Sequence, residues 1–357
     1  MNEKTYTQHG GDIYTEGLLK GNKILDFSAN INFLGTPKSL ESAVKEAMKS
    51  ITRYPDIEYR RLKKTIADYL HIDNDKLKII PGNGAAEIID LAVSLFKSMC
   101  IVVPSFSEYE RCAHIHGCQV TYSELKDDMT FDYEDILERL KTCEALLIGN
   151  PNNPNGFIID KEKFMEIIDY CDKNDKTIII DEAFIEFVGD EKTSFIHESS
   201  RYECLLLIRA VTKFFALPGI RLGYGITANE GLADKIRERQ LPWTVNSFAE
   251  TTAEHIYRDS EYIRKSINAN KDEREYLKRQ LVQLPAISKV YDGRANFLLC
   301  KLNNITAEQM FNYCLKEHIL IRKCDNYRKL DKYFIRLAVK SRSDNNKLIN
   351  VLRKANL

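Results

Sequence analysis

Between residues 77 and 227 short apolar runs alternate with longer amphipathic stretches, and this pattern constrains the fold more than any other feature. A run that is apolar throughout must be buried on both faces of a sheet, so each one demands helices above and below it. Six runs qualify as strands: Leu77–Ile80, Cys100–Val103, Ala145–Ile148, Thr177–Asp181, Cys204–Ile208 and Leu222–Thr227. Between them lie helical patterns such as those opening at Glu87 and Lys161. The expected fold class is α/β, with a mostly parallel central sheet in a large domain. After Leu241–Asn246 the texture changes to long charged helices and then a mixed region holding NFLLCKL and YFIRLAV, which predicts a smaller α+β C-terminal domain. The expected organisation is an irregular N-terminal arm over 1–28, a large domain over 29–245 and a small domain over 246–357. The arm reads as surface dressing.

Bulk properties exclude several function classes. Lysine plus arginine and aspartate plus glutamate number 52 each, so no net field draws in nucleic acid or an anionic membrane. The polar start MNEKTYTQHGGDIY is unlike a signal peptide, and no run is long and apolar enough to span a bilayer. Nine cysteines at irregular spacings, with no CxxC pair, argue against a disulfide framework and predict a cytoplasmic protein. His114 and His116 flank one isoleucine near Cys118, which reads as a solvated helix and not a metal site. No metal is expected.

In an open parallel sheet, ligands bind beyond the carboxyl ends of the strands, where loops converge and helix N-termini present free N–H groups. PGNGAAE, PSFSEY, NPNNPNG, DEAF and RAVTKFFALPGIRLGY follow five of the runs. Gly82, Gly84, Ala85 and Ala86 open a helix and form a backbone cradle suited to a phosphate, although a glycine turn with no ligand is the commoner reading of that geometry. Asp181 ends an apolar strand, where a carboxylate needs a cationic partner. That partner is either a neighbouring arginine or the protonated ring nitrogen of pyridoxal phosphate (PLP). Lys213 lies just past another apolar strand, where desolvation would leave a neutral amine able to attack an aldehyde. Arg221, eight residues on, adds a fixed cation for a phosphate or carboxylate.

NPNNPNG, DEAF and TKFFALPGIRLGY, in this order, resemble the shared motifs of the fold type I PLP enzymes, whose fold is aspartate-aminotransferase-like. Within that group the chain resembles the histidinol-phosphate aminotransferase branch, and most closely the threonine-phosphate decarboxylase family of the cobalamin pathway. HGGDIY at His9, LDFSANINFLG at Leu25, RYPD at Arg53, LPWTVN at Leu241, GRANFLL at Gly293 and ILIRKCDNY at Ile319 carry that second resemblance nearly end to end. It implies that Lys213 forms the Schiff base with PLP, that Asp181 partners the ring nitrogen and that Asn153 bonds the phenolic oxygen. Phe106 would stack on the ring. Gly84, Ala85, Ala86, Arg221 and Thr212 would hold the cofactor phosphate, with Tyr54 reaching it from the other subunit of a homodimer with shared sites.

For the substrate, a small phosphorylated amino acid, the resemblance points to Arg336 as the carboxylate-binding arginine, with His9, Gly10, Asn30, Asn153 and Arg322 around the rest. Trp243 reads as an interdomain packing residue. Some positions depart from the pattern. Ala210 stands where relatives carry a hydroxyl for the cofactor phosphate, Phe33 replaces a proline and Asn155 a threonine. Phe184 stands where aminotransferases often carry a tyrosine, and the decarboxylase branch shares the phenylalanine. The resemblance therefore implies decarboxylation of L-threonine O-phosphate, with L-serine O-phosphate as a further substrate and histidinol-phosphate transamination as the alternative.

Overall fold

The computed structural model describes residues 10–355. The chain enters through a short strand, β1 (Leu25–Asp26). It then builds a seven-stranded sheet from β2 (Lys78–Gly82), β3 (Ser98–Val103), β4 (Gln119–Glu124), β5 (Ala145–Gly149), β6 (Thr177–Asp181), β7 (Leu205–Ala210) and β8 (Gly223–Thr227). The order across it is β2-β8-β7-β6-β5-β3-β4. The pairs among β3 to β7 are parallel, and only β8 runs against its two neighbours. All six expected strands are present. The seventh, β4, is polar at both ends and closes one edge of the sheet, so it lacks the double-sided burial that makes its neighbours readable.

A smaller four-stranded sheet has the order β12-β13-β10-β9, made of β9 (Ile287–Val290), β10 (Phe297–Leu302), β12 (Arg322–Lys323) and β13 (Phe334–Ala338). The intervening β11 (Ile319–Leu320) pairs in parallel with β1. Phe27 is fully buried in the core of this second unit, beside Leu298, Ile335 and Leu348. The segment Leu25–Phe27 is thus an integral part of the small domain and not surface dressing, because a strand pairing and a buried phenyl ring fix it there.

The second core is reached gradually. Helix Ser247–Ile256 buries Ala249, Ala253 and Ile256 in the core of the large sheet, so a division at 246 would cut it from what it packs against. Along the 22-residue helix Ser260–Leu281, Tyr262 joins the first core while Leu277 and Leu281 join the second. One rigid helix therefore bridges the two units. All nine cysteines are free and buried, and among the described residues no helix is long and apolar enough to cross a membrane.

Candidate active site

Parallel pairing sets Asp181 opposite Gly149 on one side and Ile208 on the other, so the loops after β5, β6 and β7 leave the same edge of the sheet. Gly82 at the end of β2 pairs with Gly223 of β8, which brings the glycine turn to that edge as well. A cleft of about 280 Å³ opens there, and the small domain closes its far side with Arg322, Tyr327 and Arg336. Gly10, Asn30, Ala85, Ala86, Phe106, Asn153, Asp181, Thr212, Lys213 and Arg221 line the rest, as does the hydroxyl-free Ala210. Gly84 adjoins it as the residue before helix Ala85–Val93. His9 lies outside the described residues.

The loop carrying Lys213 dips into the molecule because Val211, Phe214 and Phe215 are buried to 1% exposure or less. Its backbone is held by Asn32, whose N–H donates to the Lys213 carbonyl at 3.1 Å and whose amide Nδ2 donates to the Phe214 carbonyl at 2.8 Å. Burial, with Arg336 and Arg221 nearby, lowers the Lys213 pKa to about 8. Asp181 has no arginine beside it. Its Oδ2 accepts a 2.6 Å bond from the Tyr109 hydroxyl, and its Oδ1 a 2.9 Å bond from the Ala183 N–H. Burial pushes its carboxyl up, and those two donors oppose the rise.

At the glycine turn, Gly84 has φ +87°, and a Cβ there would stand 2.5 Å from Arg221 Nη2. A Cβ on Gly223 would lie 2.3 Å from the Ala85 nitrogen. Only residues without side chains let the guanidinium, strand and helix start meet so closely. Gly84 provides no side-chain cap, which leaves the first amides of the helix facing the cleft. Among the described residues Arg221 donates to carbonyl oxygens, those of Pro218 and Asn83, both at 3.3 Å.

Across the cleft, Arg336 Nη1 donates to Asn153 Oδ1 at 2.6 Å and Nη2 to the Ser28 carbonyl at 2.8 Å, while its buried Nε has no partner among the described residues. The Asn30 side-chain oxygen is likewise buried and has no partner among the described residues. Arg322 Nη2 donates to Asn326 Oδ1 at 2.8 Å. Phe184 meets Phe297 edge-on at 5.1 Å, and Arg336 lies over the Phe297 ring at 5.3 Å. The cleft thus gathers four basic side chains, Lys213, Arg221, Arg322 and Arg336, and among its described lining residues one carboxylate, that of Asp181. Buried cations without counter-ions are costly, and the cleft is suited to ligands that bring two anionic groups.

Tyr54 does not reach this cleft within its own chain. It is 79% exposed and tilted against Trp243, with ring centroids 4.6 Å apart. Trp243 is itself 43% exposed, so it packs at the surface and not between the domains. Asn155 is fully buried and braces its own loop, accepting from Asn152 at 2.9 Å and donating to the Met129 carbonyl at 2.9 Å. Tyr109 and Tyr327 line the cleft as well, and neither had been given a role from the sequence. The first lies three residues beyond Phe106 in SFSEY, one helical turn along, and that spacing was the available signal.

Residues 22–352 match the family described as aminotransferase class I and II. The chain belongs to the class I and II aminotransferase family. This family is the fold type I group of PLP enzymes, and PLP is its cofactor. Among relatives of this aminotransferase-family chain, a Caldanaerobacter subterraneus subsp. tengcongensis protein, provisionally named threonine-phosphate decarboxylase, is 41% identical over 97% of this chain and 93% of its own. The threonine-phosphate decarboxylase of Salmonella typhimurium is 34% identical over 97% of this chain and 95% of its own. A crystal structure of the histidinol-phosphate aminotransferase from Clostridium acetobutylicum superposes with a TM-score of 0.91 at 47% identity, covering 92% of this chain and 98% of that one.

Proposed function

We propose that this chain is a PLP-dependent decarboxylase of L-threonine O-phosphate that also accepts L-serine O-phosphate, supplying an aminoalkyl phosphate to cobalamin synthesis. The observation that carries this reading is the pair of buried arginines, Arg322 and Arg336, facing Lys213 across the cleft with no carboxylate partner among the described residues. Two cations on the substrate side call for a substrate with two anionic ends. The decarboxylase names of relatives 34% and 41% identical over nearly the whole chain support the choice of reaction.

The residues present fit the cofactor. Gly84, Ala85, Ala86, Thr212 and Arg221 would hold its phosphate, Phe106 would cover the ring, Asp181 would partner the ring nitrogen, Asn153 the phenolic oxygen, and Lys213 would carry the aldehyde carbon. When bound, PLP supplies a sink for the electron pair released when a bond at the substrate α-carbon breaks. In this reading the chain's own groups choose the bond. Arg336 grips the substrate carboxylate and Arg322 holds its phosphate, with Asn30, Gly10 and His9 around the rest of the substrate. The carbon–carboxylate bond then breaks, carbon dioxide leaves and a proton is delivered to the α-carbon. Lys213, whose pKa burial lowers to about 8, is suited to hold that proton. Phe184 offers no hydroxyl in a position where aminotransferases often carry one, which is consistent with the decarboxylase branch. A methyl is worth only about 1 to 3 kcal/mol of discrimination, so serine phosphate should also turn over.

The second reading, histidinol-phosphate transamination, is favoured by the 47% identity to the structure bearing that name. Steady-state assays separate the two. Carbon dioxide release from threonine phosphate without any keto acid supports decarboxylation. Turnover of histidinol phosphate only when a keto acid is supplied, with no carbon dioxide from threonine phosphate, would refute it.

A further inference from the structure

Arg322 and Arg336 are direct cross-strand partners in the antiparallel pair of β12 and β13. Like charges placed opposite one another destabilise a sheet, and these two are 7% and 5% exposed, where water screens them little. The structure separates them with one side chain. The Arg322 guanidinium lies over the Tyr327 ring, 5.4 Å from its centroid. The Arg336 Nη1 donates to the Tyr327 hydroxyl at 3.1 Å, and that hydroxyl also lies 3.3 Å from Asn153 Oδ1.

Tyr327 is itself fixed. It is 5% exposed and packs with Tyr291, Leu299, Cys324, Leu330 and Phe334. The residues after it anchor the loop to the large domain, Arg328 donating to Glu110 from both Nε and Nη2 and Lys329 pairing with Glu124 at 2.7 Å. A rigid aromatic ring thus stands between two guanidiniums, its face toward one and its oxygen toward the other.

We propose that Tyr327 is a specificity-determining residue: it fixes the spacing of the two arginines and so selects substrates whose carboxylate and phosphate are separated by that distance. This inference rests on the substrate roles given to Arg322 and Arg336 above. The hydroxyl positions the arginine that receives the carboxylate, and the ring positions the arginine that receives the phosphate. The two parts of one side chain therefore affect different ends of the ligand.

Binding to the holoenzyme can be followed through the change in the cofactor absorption band, using threonine phosphate, threonine and ethanolamine phosphate as probes. Tyr327→Phe keeps the ring and removes the hydroxyl. It should weaken threonine and threonine phosphate by about fivefold, the worth of one hydrogen bond, and leave ethanolamine phosphate, which has no carboxylate, unchanged. Tyr327→Leu should weaken ethanolamine phosphate as well, by about fivefold for the lost cation–π contact. If Tyr327→Phe weakens none of the probes, or all three by the same factor, the inference is overturned. A wild-type enzyme that binds ethanolamine phosphate no better than ethanolamine would instead remove the substrate reading itself.

Discussion

Lys213 sits in a cleft whose other cations make a proton on its amine unwelcome. Burial, with Arg336 and Arg221 second, brings its pKa from the ordinary 10.5 to about 8. Below that value the amine is protonated and cannot attack an aldehyde; above it the amine is neutral. Capture of added PLP by cofactor-stripped protein, followed by the growth of visible absorbance, should therefore accelerate as pH rises to about 8 and then level off. A rate still climbing steeply above pH 9 would indicate an unperturbed lysine. The same shift has a stability consequence. Between about 8 and 10.5 the unfolded chain holds a proton that the folded chain has released, so the stripped protein gains stability as pH rises through that window. At Asp181 the 2.6 Å bond from Tyr109 favours the ionised carboxylate. Tyr109→Phe removes it and lets burial raise the carboxyl further, which would leave a poorer partner for a protonated ring nitrogen. We expect kcat to fall about tenfold or more, in line with a hydrogen bond to a charged group, with KM changed much less. Equal losses in kcat and 1/KM would point to a packing role instead.

Among the elements, the cradle proposed for the cofactor phosphate is a junction of the β2 turn, the helix Ala85–Val93 and β8, possible because Gly84 and Gly223 lack side chains. Gly84→Ala would press a methyl against Arg221 and impose a strained positive φ, so PLP affinity should drop by about tenfold or more, measured by fluorescence titration. Unchanged affinity would show that the turn does not hold the cofactor. The sequence made this junction legible because glycines and small residues follow an apolar strand there. It revealed Asp181 and Lys213 for the same reason, since a charged group at the end of a buried run needs an explanation. β4 was illegible because an edge strand can be polar. Tyr109 was not legible as the partner of Asp181 because the two are 72 residues apart; Tyr327 lies close in sequence to Arg322 and Arg336, and its role was hidden because the strand pairing that sets those two arginines opposite one another exists only in the fold. The depth of the arm's attachment depended on a two-residue pairing, β1 with β11, too short to leave a periodic signal.

The whole molecule leaves an apolar strip uncovered. Met48, Ile51, Tyr54 and Ile57 are each more than half exposed, and the Tyr54–Trp243 contact connects them with Leu241, which is 76% exposed. Such a strip is what a partner subunit would cover, and we expect sedimentation equilibrium to give twice the chain mass. In that dimer Tyr54→Ala should weaken PLP binding without dissociating the subunits; a monomeric wild-type enzyme with full PLP affinity would refute the shared site. The two domains line the cleft from opposite walls, the large domain supplying Lys213 and Asp181 and the small domain Arg322, Tyr327 and Arg336. In the proposed function this enclosure expels the carboxylate of a phosphorylated amino acid. Incubating the holoenzyme with L-threonine O-phosphate in deuterium oxide and recording the proton NMR spectrum tests it directly. The expected product is aminopropanol phosphate carrying a single deuteron on the carbon that lost the carboxylate, formed without a keto acid. Recovery of threonine phosphate merely deuterated at its α-carbon, or a keto product that appears only with an amino acceptor, would contradict it.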